Sequence, residues 1–115
     1  MLLVVAVVLL SVPSLAAERS SFNRDIRPIL SDNCFQCHGP DKTQRKADLR
    51  LDRADGAIGT AEKPGAIVPG KPDDSKIVKA LRGENGVRKM PAMQAPLADE
   101  DIKLIADWIA AGAKQ

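Results

Sequence analysis

Two cysteines and a histidine stand together at one point of the 115-residue chain. Cys34 and Cys37 are three positions apart, and His38 follows directly. The pattern Cys-x-x-Cys-His is typical of c-type haem attachment. Each thiol can add across a porphyrin vinyl group to form a thioether, and the adjacent imidazole can bind the iron as an axial ligand. The pattern occurs once, so we expect one covalently bound haem c.

Three other uses of these residues have weaker support. A structural zinc site needs about four nitrogen or sulfur ligands, and the chain has two cysteines and one histidine. A thioredoxin-like redox pair would open a helix after a strand in a βαβ unit, whereas the segment before Cys34 has helical periodicity. A short-loop disulfide between Cys34 and Cys37 remains a chemically possible alternative.

A methionine is the expected second axial ligand. With a single histidine, a bis-histidine haem is excluded within one chain. Met1 belongs to a predicted leader, which leaves Met90 and Met93, both in a proline-containing stretch. We favour Met90 as the distal ligand because the following Pro91 restricts it to an extended conformation. Met93 is the alternative ligand, or flexible core filler.

Three amphipathic segments are predicted as the helices that position these groups. The first, over 20–33, leads directly to the motif, and Pro28 predicts a regular start close to Asp25. The second covers 76–82, with the acidic and hydroxyl residues of 73–75 capping its start. The third covers 97–111. Its apolar face consists of Ile102, Leu104, Ile105, Trp108 and Ile109, and Trp108 is expected to contact the first helix and the haem edge.

The stretch 54–72 carries glycine and proline too often for long regular structure. So long a loop in a small domain is typical of a segment that wraps something. Ile58, Ile67 and Val68 are therefore expected to lie against the haem. Arg50 or Arg53 is a weaker candidate for pairing with a haem propionate.

The N-terminal residues indicate export. Residues 1–17 carry no charged side chain, and 2–12 are apolar except for Ser11. This run is too short to span a bilayer comfortably but matches a signal-peptide core, and small residues at its end supply a cleavage site. We predict a secretory signal over 1–17, or an uncleaved membrane anchor because basic residues are missing from its start. A monohaem domain follows over 18–115, in the periplasm or otherwise exported.

Composition agrees with a haem domain. The chain has two Phe, one Trp and no Tyr, and a domain of about 95 residues has difficulty building a sufficient core from so few large side chains. A buried porphyrin would supply the missing apolar surface. The formal net charge is +2, and the haem propionates bring it near neutral, so no nucleic-acid partner is predicted.

The chain also resembles the planctomycete-type cytochrome c domain, a relative of the class I c-type cytochromes. The similar segments follow the family's order across 21–113: Phe22–Leu30, Cys34–Gly39, Leu49–Asp52, Val68–Asp73, Ser75, Met90–Pro91, Trp108–Ile109 and Ala111–Ala113. The resemblance implies an all-α, small class I cytochrome c-like fold. Its N- and C-terminal helices would pack around one covalently bound haem, and its long loops are rich in Gly and Pro.

The same resemblance implies axial ligation by His38 and Met90. The sequence departs from the family at Ala92, where a second proline is usual, and at Ala98, where a Ser or Thr commonly caps the last helix.

These observations predict a monohaem c-type cytochrome that carries out one-electron transfer outside the cytoplasmic membrane. Two filled axial positions leave no open site for a substrate, so an electron carrier is expected rather than an enzyme. One alternative is a haem module or subunit of a larger oxidoreductase; another is a haem enzyme or sensor with a vacant or labile distal site. The expected partners are redox proteins with an acidic docking surface, facing Arg45, Lys46, Arg88 and Lys89.

Overall fold

The computed structural model describes residues 6–9, 21–84 and 86–115. Across these residues the regular structure is helical, and the single β-type pairing is an isolated bridge between Gly59 and Pro64. The all-α prediction is therefore confirmed for the described part of the chain. The predicted signal over 1–17 lies outside that part except for residues 6–9. None of the helices in the described ranges has the length and hydrophobicity needed to cross a membrane.

Short helices connected by long loops make up the described chain. In chain order they are a π-helical turn Phe22–Ile26, α1 Arg27–Asn33, α2 Ala54–Ala57, a 3-10 turn Pro72–Asp74, α3 Lys76–Arg82 and α4 Asp99–Ala110. The bounds of α3 agree with the prediction, and α4 is shorter than predicted at both ends. Ala98 stands at the N-cap of α4 without a side-chain hydrogen bond, so its departure from the family pattern leaves this cap unfilled.

Pro28 explains the unusual start of the first helix. The N–H of Arg27 donates to the carbonyl of Phe22, which makes a π-type turn. This turn puts Pro28 in the first turn of α1, where no backbone N–H is needed. The regular α-helix begins at Arg27, two residues after the predicted start near Asp25, and the irregular π-helical turn from Phe22 precedes it.

The core is formed where the first helical segment meets α4. The rings of Phe22 and Trp108 lie with their centroids 5.3 Å apart, and Ile26 and Ile105 are fully buried beside them. The indole N–H of Trp108 donates to the carbonyl of Lys114 at 2.8 Å. The predicted contact of Trp108 with the first helix is thus observed. Leu104, placed by the prediction on the buried face, is instead exposed.

Ser75 connects α3 to the loop before it. Its side chain does not cap the helix as predicted. The hydroxyl is fully buried, donates to the carbonyl of Lys71 at 2.9 Å and accepts from the N–H of Val68 at 2.9 Å. The N–H of Ile77 donates to the carbonyl of Ala66 at 3.1 Å. These bonds fix α3 against the loop 66–71 and so set the position of one cavity wall.

Candidate functional site

The structure brings the predicted site residues to one cavity. Cys34, Cys37, His38, Met90 and Met93 all line a space of about 630 Å³. The cysteines and the histidine come from the turn that ends α1, and the methionines come from the loop between α3 and α4. Cofactor sites commonly occupy several hundred Å³, so the cavity has the size of a cofactor site.

The walls of the cavity are largely apolar. Leu49 and Leu51 line it from the loop after the motif, and Ile77 and Leu81 line it from α3. The segment 64–66 completes this side.

The prediction that Ile58, Ile67 and Val68 lie against the haem is wrong, because none of them lines the cavity. Ile67 is buried in the main core and Val68 is exposed. The small residues of 64–66 take their place because Gly65 lies against the backbone of Ala57, leaving no room for a Cβ atom. A sequence search for large apolar residues could not have found them.

The two thiols sit in different surroundings. Cys34 is half-buried and Cys37 is exposed, and both are free. Burial, with a smaller contribution from the nearby Cys37, raises the pKa of Cys34 to about 11. The N–H of His38 donates to the carbonyl of Cys34 at 2.8 Å. The imidazole and both cysteines line the same cavity.

The backbone of one residue, Lys46, contacts both the histidine ring and the motif. Nδ1 of His38 lies 3.2 Å from the carbonyl oxygen of Lys46, while the N–H of Lys46 donates to the carbonyl of Cys37 at 2.6 Å. With its proton on Nδ1, the ring donates to this carbonyl and keeps the Nε2 lone pair for a metal. The described residues contain no group of three or more His, Cys, Asp or Glu placed to hold a metal ion.

The two methionines differ in exposure and in anchoring. Met90 is half-buried, and its N–H donates to the carbonyl of Ala80 at 2.9 Å, which ties it to the end of α3. Met93 is 89% exposed. The assignment of Met90 as distal ligand stays a prediction, and its position favours it over Met93.

Every charged side chain among the described residues that line this cavity is basic. These side chains belong to Lys46, Lys76 and Arg88. Arg45 and Lys89, expected at the same edge, do not line it. Trp108 is also absent from its lining, so its expected contact with the haem edge is not observed.

A smaller cleft of about 320 Å³ adjoins the cavity and is lined by Arg45, Arg50 and Arg53. The Arg50 guanidinium lies 2.6 Å from the Asp52 carboxylate, and this hydrogen bond lowers the pKa of Asp52. Arg53 pairs with Asp55 at 2.7 Å. The arginines considered for a haem propionate therefore already have carboxylate partners in the protein.

A comparison with protein-family models matches residues 34–92, a little over half of the chain, to the planctomycete cytochrome C family. The chain belongs to this family. The predicted resemblance is thereby confirmed, and the matched region starts at Cys34 and includes His38 and Met90. No curated protein and no solved structure matches the chain.

Membership in the planctomycete cytochrome c family implies covalently bound haem c and a role in electron transfer. The site of this cytochrome fits that cofactor. Two thiols with the attachment spacing, an imidazole with Nδ1 already engaged and a thioether from a second loop line the same apolar cavity.

Proposed function

We propose that this member of the planctomycete cytochrome C family is a monohaem electron carrier that transfers one electron at a time outside the cytoplasmic membrane. The observation that carries the proposal is the shared cavity of Cys34, Cys37, His38 and Met90. Once bound, the haem supplies an iron that alternates between the ferrous and ferric states.

Each group of residues has a defined task in this proposal. Cys34 and Cys37 would hold the porphyrin by thioether bonds, and His38 and Met90 would bind its iron. With both ligands in place a substrate would not reach the iron, which favours electron transfer over catalysis. The leucines of 49–51 and the apolar face of α3 exclude water from the cavity.

We call Lys46, Lys76 and Arg88 the basic rim of the cavity. This rim favours an acidic redox partner. Within the described residues, no carboxylate lies within ion-pair distance of Lys46, Lys76 or Arg88, whereas Arg50, Arg53 and Lys103 are each paired. A carboxylate-rich partner would therefore be steered to the cavity mouth. Such docking is expected to be weak and sensitive to salt.

Export is part of the proposal because c-type haem attachment takes place outside the cytoplasm. The uncharged segment 1–17, with its apolar run over 2–12, supports a secretory signal, and residues 18–115 form the haem domain. If the segment is retained, it anchors the cytochrome to the membrane. The same electron-transfer chemistry would serve a subunit of a larger oxidoreductase, which co-purification with a large partner would reveal.

The test is to produce the chain in a bacterium that carries a c-type maturation system and to examine the exported protein. We expect a red protein, with the signal removed, whose mass exceeds that of the mature polypeptide by one haem. Its pyridine haemochrome spectrum should indicate two thioether bonds. In C34S the spectrum should shift to that of a haem with a single thioether. Colourless material with the bare polypeptide mass would refute the proposal.

One observation favours a second candidate, a sensor or enzyme with a labile distal site. Between Pro91 and Leu97 no backbone hydrogen bond joins the described chain to another segment, and Met93 is 89% exposed. A loop held so loosely could release an axial thioether. Rapid, tight binding of carbon monoxide to the ferrous protein would favour this candidate, and slow binding limited by ligand release would favour the electron carrier.

A further inference from the structure

Arg45 makes an unusual set of contacts beside the haem motif. Its side chain is only 12% exposed. Nε donates to the carbonyl of Gly39 at 2.8 Å, and Nη2 donates to the carbonyl of Pro40 at 3.1 Å. The nearest carboxylate, that of Asp48, is farther away at 3.6 Å and largely exposed. The guanidinium is thus used mainly to bind two backbone carbonyls that directly follow the motif.

These contacts close the loop 39–45 at its base. The N–H of Arg45 also donates to the carbonyl of Asp41 at 2.9 Å, and the Asp41 carboxylate accepts from the N–H and hydroxyl of Thr43. Both ends of the loop are therefore held together by the side chain and the backbone of one residue. The planar fork of an arginine can bind two acceptors at once, which a lysine ammonium cannot do with fixed geometry.

The next residue along the chain contacts the histidine. The backbone N–H of Lys46 donates to the carbonyl of Cys37, and the carbonyl of Lys46 faces Nδ1 of His38. The position of this carbonyl relative to the imidazole therefore depends on how the loop 39–45 is closed. Arg45 fixes that closure without touching the ring itself.

We propose that Arg45 is a positioning residue that maintains the hydrogen bond between His38 Nδ1 and the Lys46 carbonyl. This inference rests on the proposed function, in which His38 binds the haem iron. A hydrogen bond at Nδ1 makes the imidazole a stronger donor to the metal, which favours the ferric state. Loss of the bond should therefore raise the reduction potential.

The test is the holoprotein variant R45K, because lysine keeps the positive charge and removes the two-pronged contact. We expect a higher reduction potential than in the wild type. In the ferrous protein, the Nδ1 proton of His38 should exchange with solvent at least about tenfold faster, equivalent to about 1.4 kcal/mol. The matched control is R53K, since the Arg53 side chain is 55% exposed and bonds only to Asp55 among the described residues. R53K should change neither quantity.

A role in stability alone is separated by I105V, which shortens a side chain that is fully buried in the core and does not line the cavity. I105V should lower the unfolding temperature and leave the potential unchanged. An R45K holoprotein with wild-type potential and wild-type exchange would overturn the inference.

If R45K does not accumulate, the wild-type protein still decides the question. The Nε proton of Arg45 should exchange much more slowly than that of Arg53 because it is bonded to Gly39 and shielded. Equal exchange rates would refute the positioning role. Failure to bind haem at all would instead refute the proposed function, so the two failures are distinguishable.

Discussion

Replacement of the two methionines tests the distal ligand most directly. Met90 and Met93 line the same cavity, but Met90 is half-buried and Met93 is 89% exposed. In M90A the backbone N–H can still donate to the Ala80 carbonyl. The loop therefore keeps its anchor, and the substitution removes the thioether alone. M93A is the matched control because it deletes the same side chain three residues away.

The expected cost to stability differs between the two variants. Truncating an exposed methionine removes almost no buried surface, so M93A should change the free energy of unfolding by less than about 0.5 kcal/mol. A fully buried methionine costs about 2–5 kcal/mol. For the half-buried Met90, we expect about 1–2 kcal/mol from packing, in addition to the lost bond to iron.

The assay is the visible spectrum of the ferric protein, in which methionine ligation gives a weak charge-transfer band at the red end. The band should vanish in M90A and persist in M93A. M90A should also bind carbon monoxide quickly in the ferrous state and have a lower reduction potential, because the thioether favours the ferrous iron. Persistence of the band in M90A together with its loss in M93A would transfer the ligand role to Met93 and refute our reasoning from burial.

Three further predictions concern stability, docking and thiol chemistry. S75A should lower the free energy of unfolding by about 1–3 kcal/mol, measured by thermal denaturation, because the Val68 N–H loses its acceptor and the Lys71 carbonyl loses one of its two donors. An unchanged unfolding temperature would contradict this. K76E should slow oxidation by ferricyanide about threefold to tenfold at low ionic strength, and added salt should abolish this effect. K103E on α4 should leave the oxidation rate unchanged. Equal slowing in both variants would mean that the basic rim has no special role. In the apoprotein at pH 8, the shift of the Cys34 pKa from 9.0 to about 11 lowers the thiolate fraction of Cys34 about a hundredfold. Alkylation, measured by peptide mass, should therefore modify Cys37 first and reach Cys34 only as the pH approaches 11. Equal labelling at pH 8 would show that Cys34 is not buried.

The chemistry-bearing residues could be found from the sequence because their chemistry dictates their identity and spacing. Thioether attachment requires the two cysteines three positions apart, and a single histidine leaves little choice of proximal ligand. The bounds of α3 were also predictable, since apolar periodicity ends at Gly83, which has a left-handed conformation with φ of 67°.

The supporting contacts could not be predicted in the same way. The sequence predicts that the hydroxyl of Ser75 caps α3. In the structure it bonds instead to the loop 66–71, which only the tertiary fold places beside it. The cavity wall at 64–66 depends on the close approach of Gly65 to the backbone of Ala57. The closure of the loop 39–45 depends on two backbone carbonyls that accept hydrogen bonds from Arg45. Backbone acceptors carry no side-chain signature, so a pattern of residue types does not reveal them.

The position of the aromatic pair changes the interpretation of the small core. The scarcity of aromatics suggests that the chain folds only around a porphyrin, but Phe22 and Trp108 contact each other in a core that joins the first helical segment to α4. Neither ring lines the cavity. The helices therefore have apolar contacts of their own, while the loops after α1 and α3 supply every predicted axial ligand. We therefore expect the porphyrin chiefly to organise these loops, and ligand geometry to depend on loop contacts such as those of Arg45 together with the bond that ties Met90 to α3.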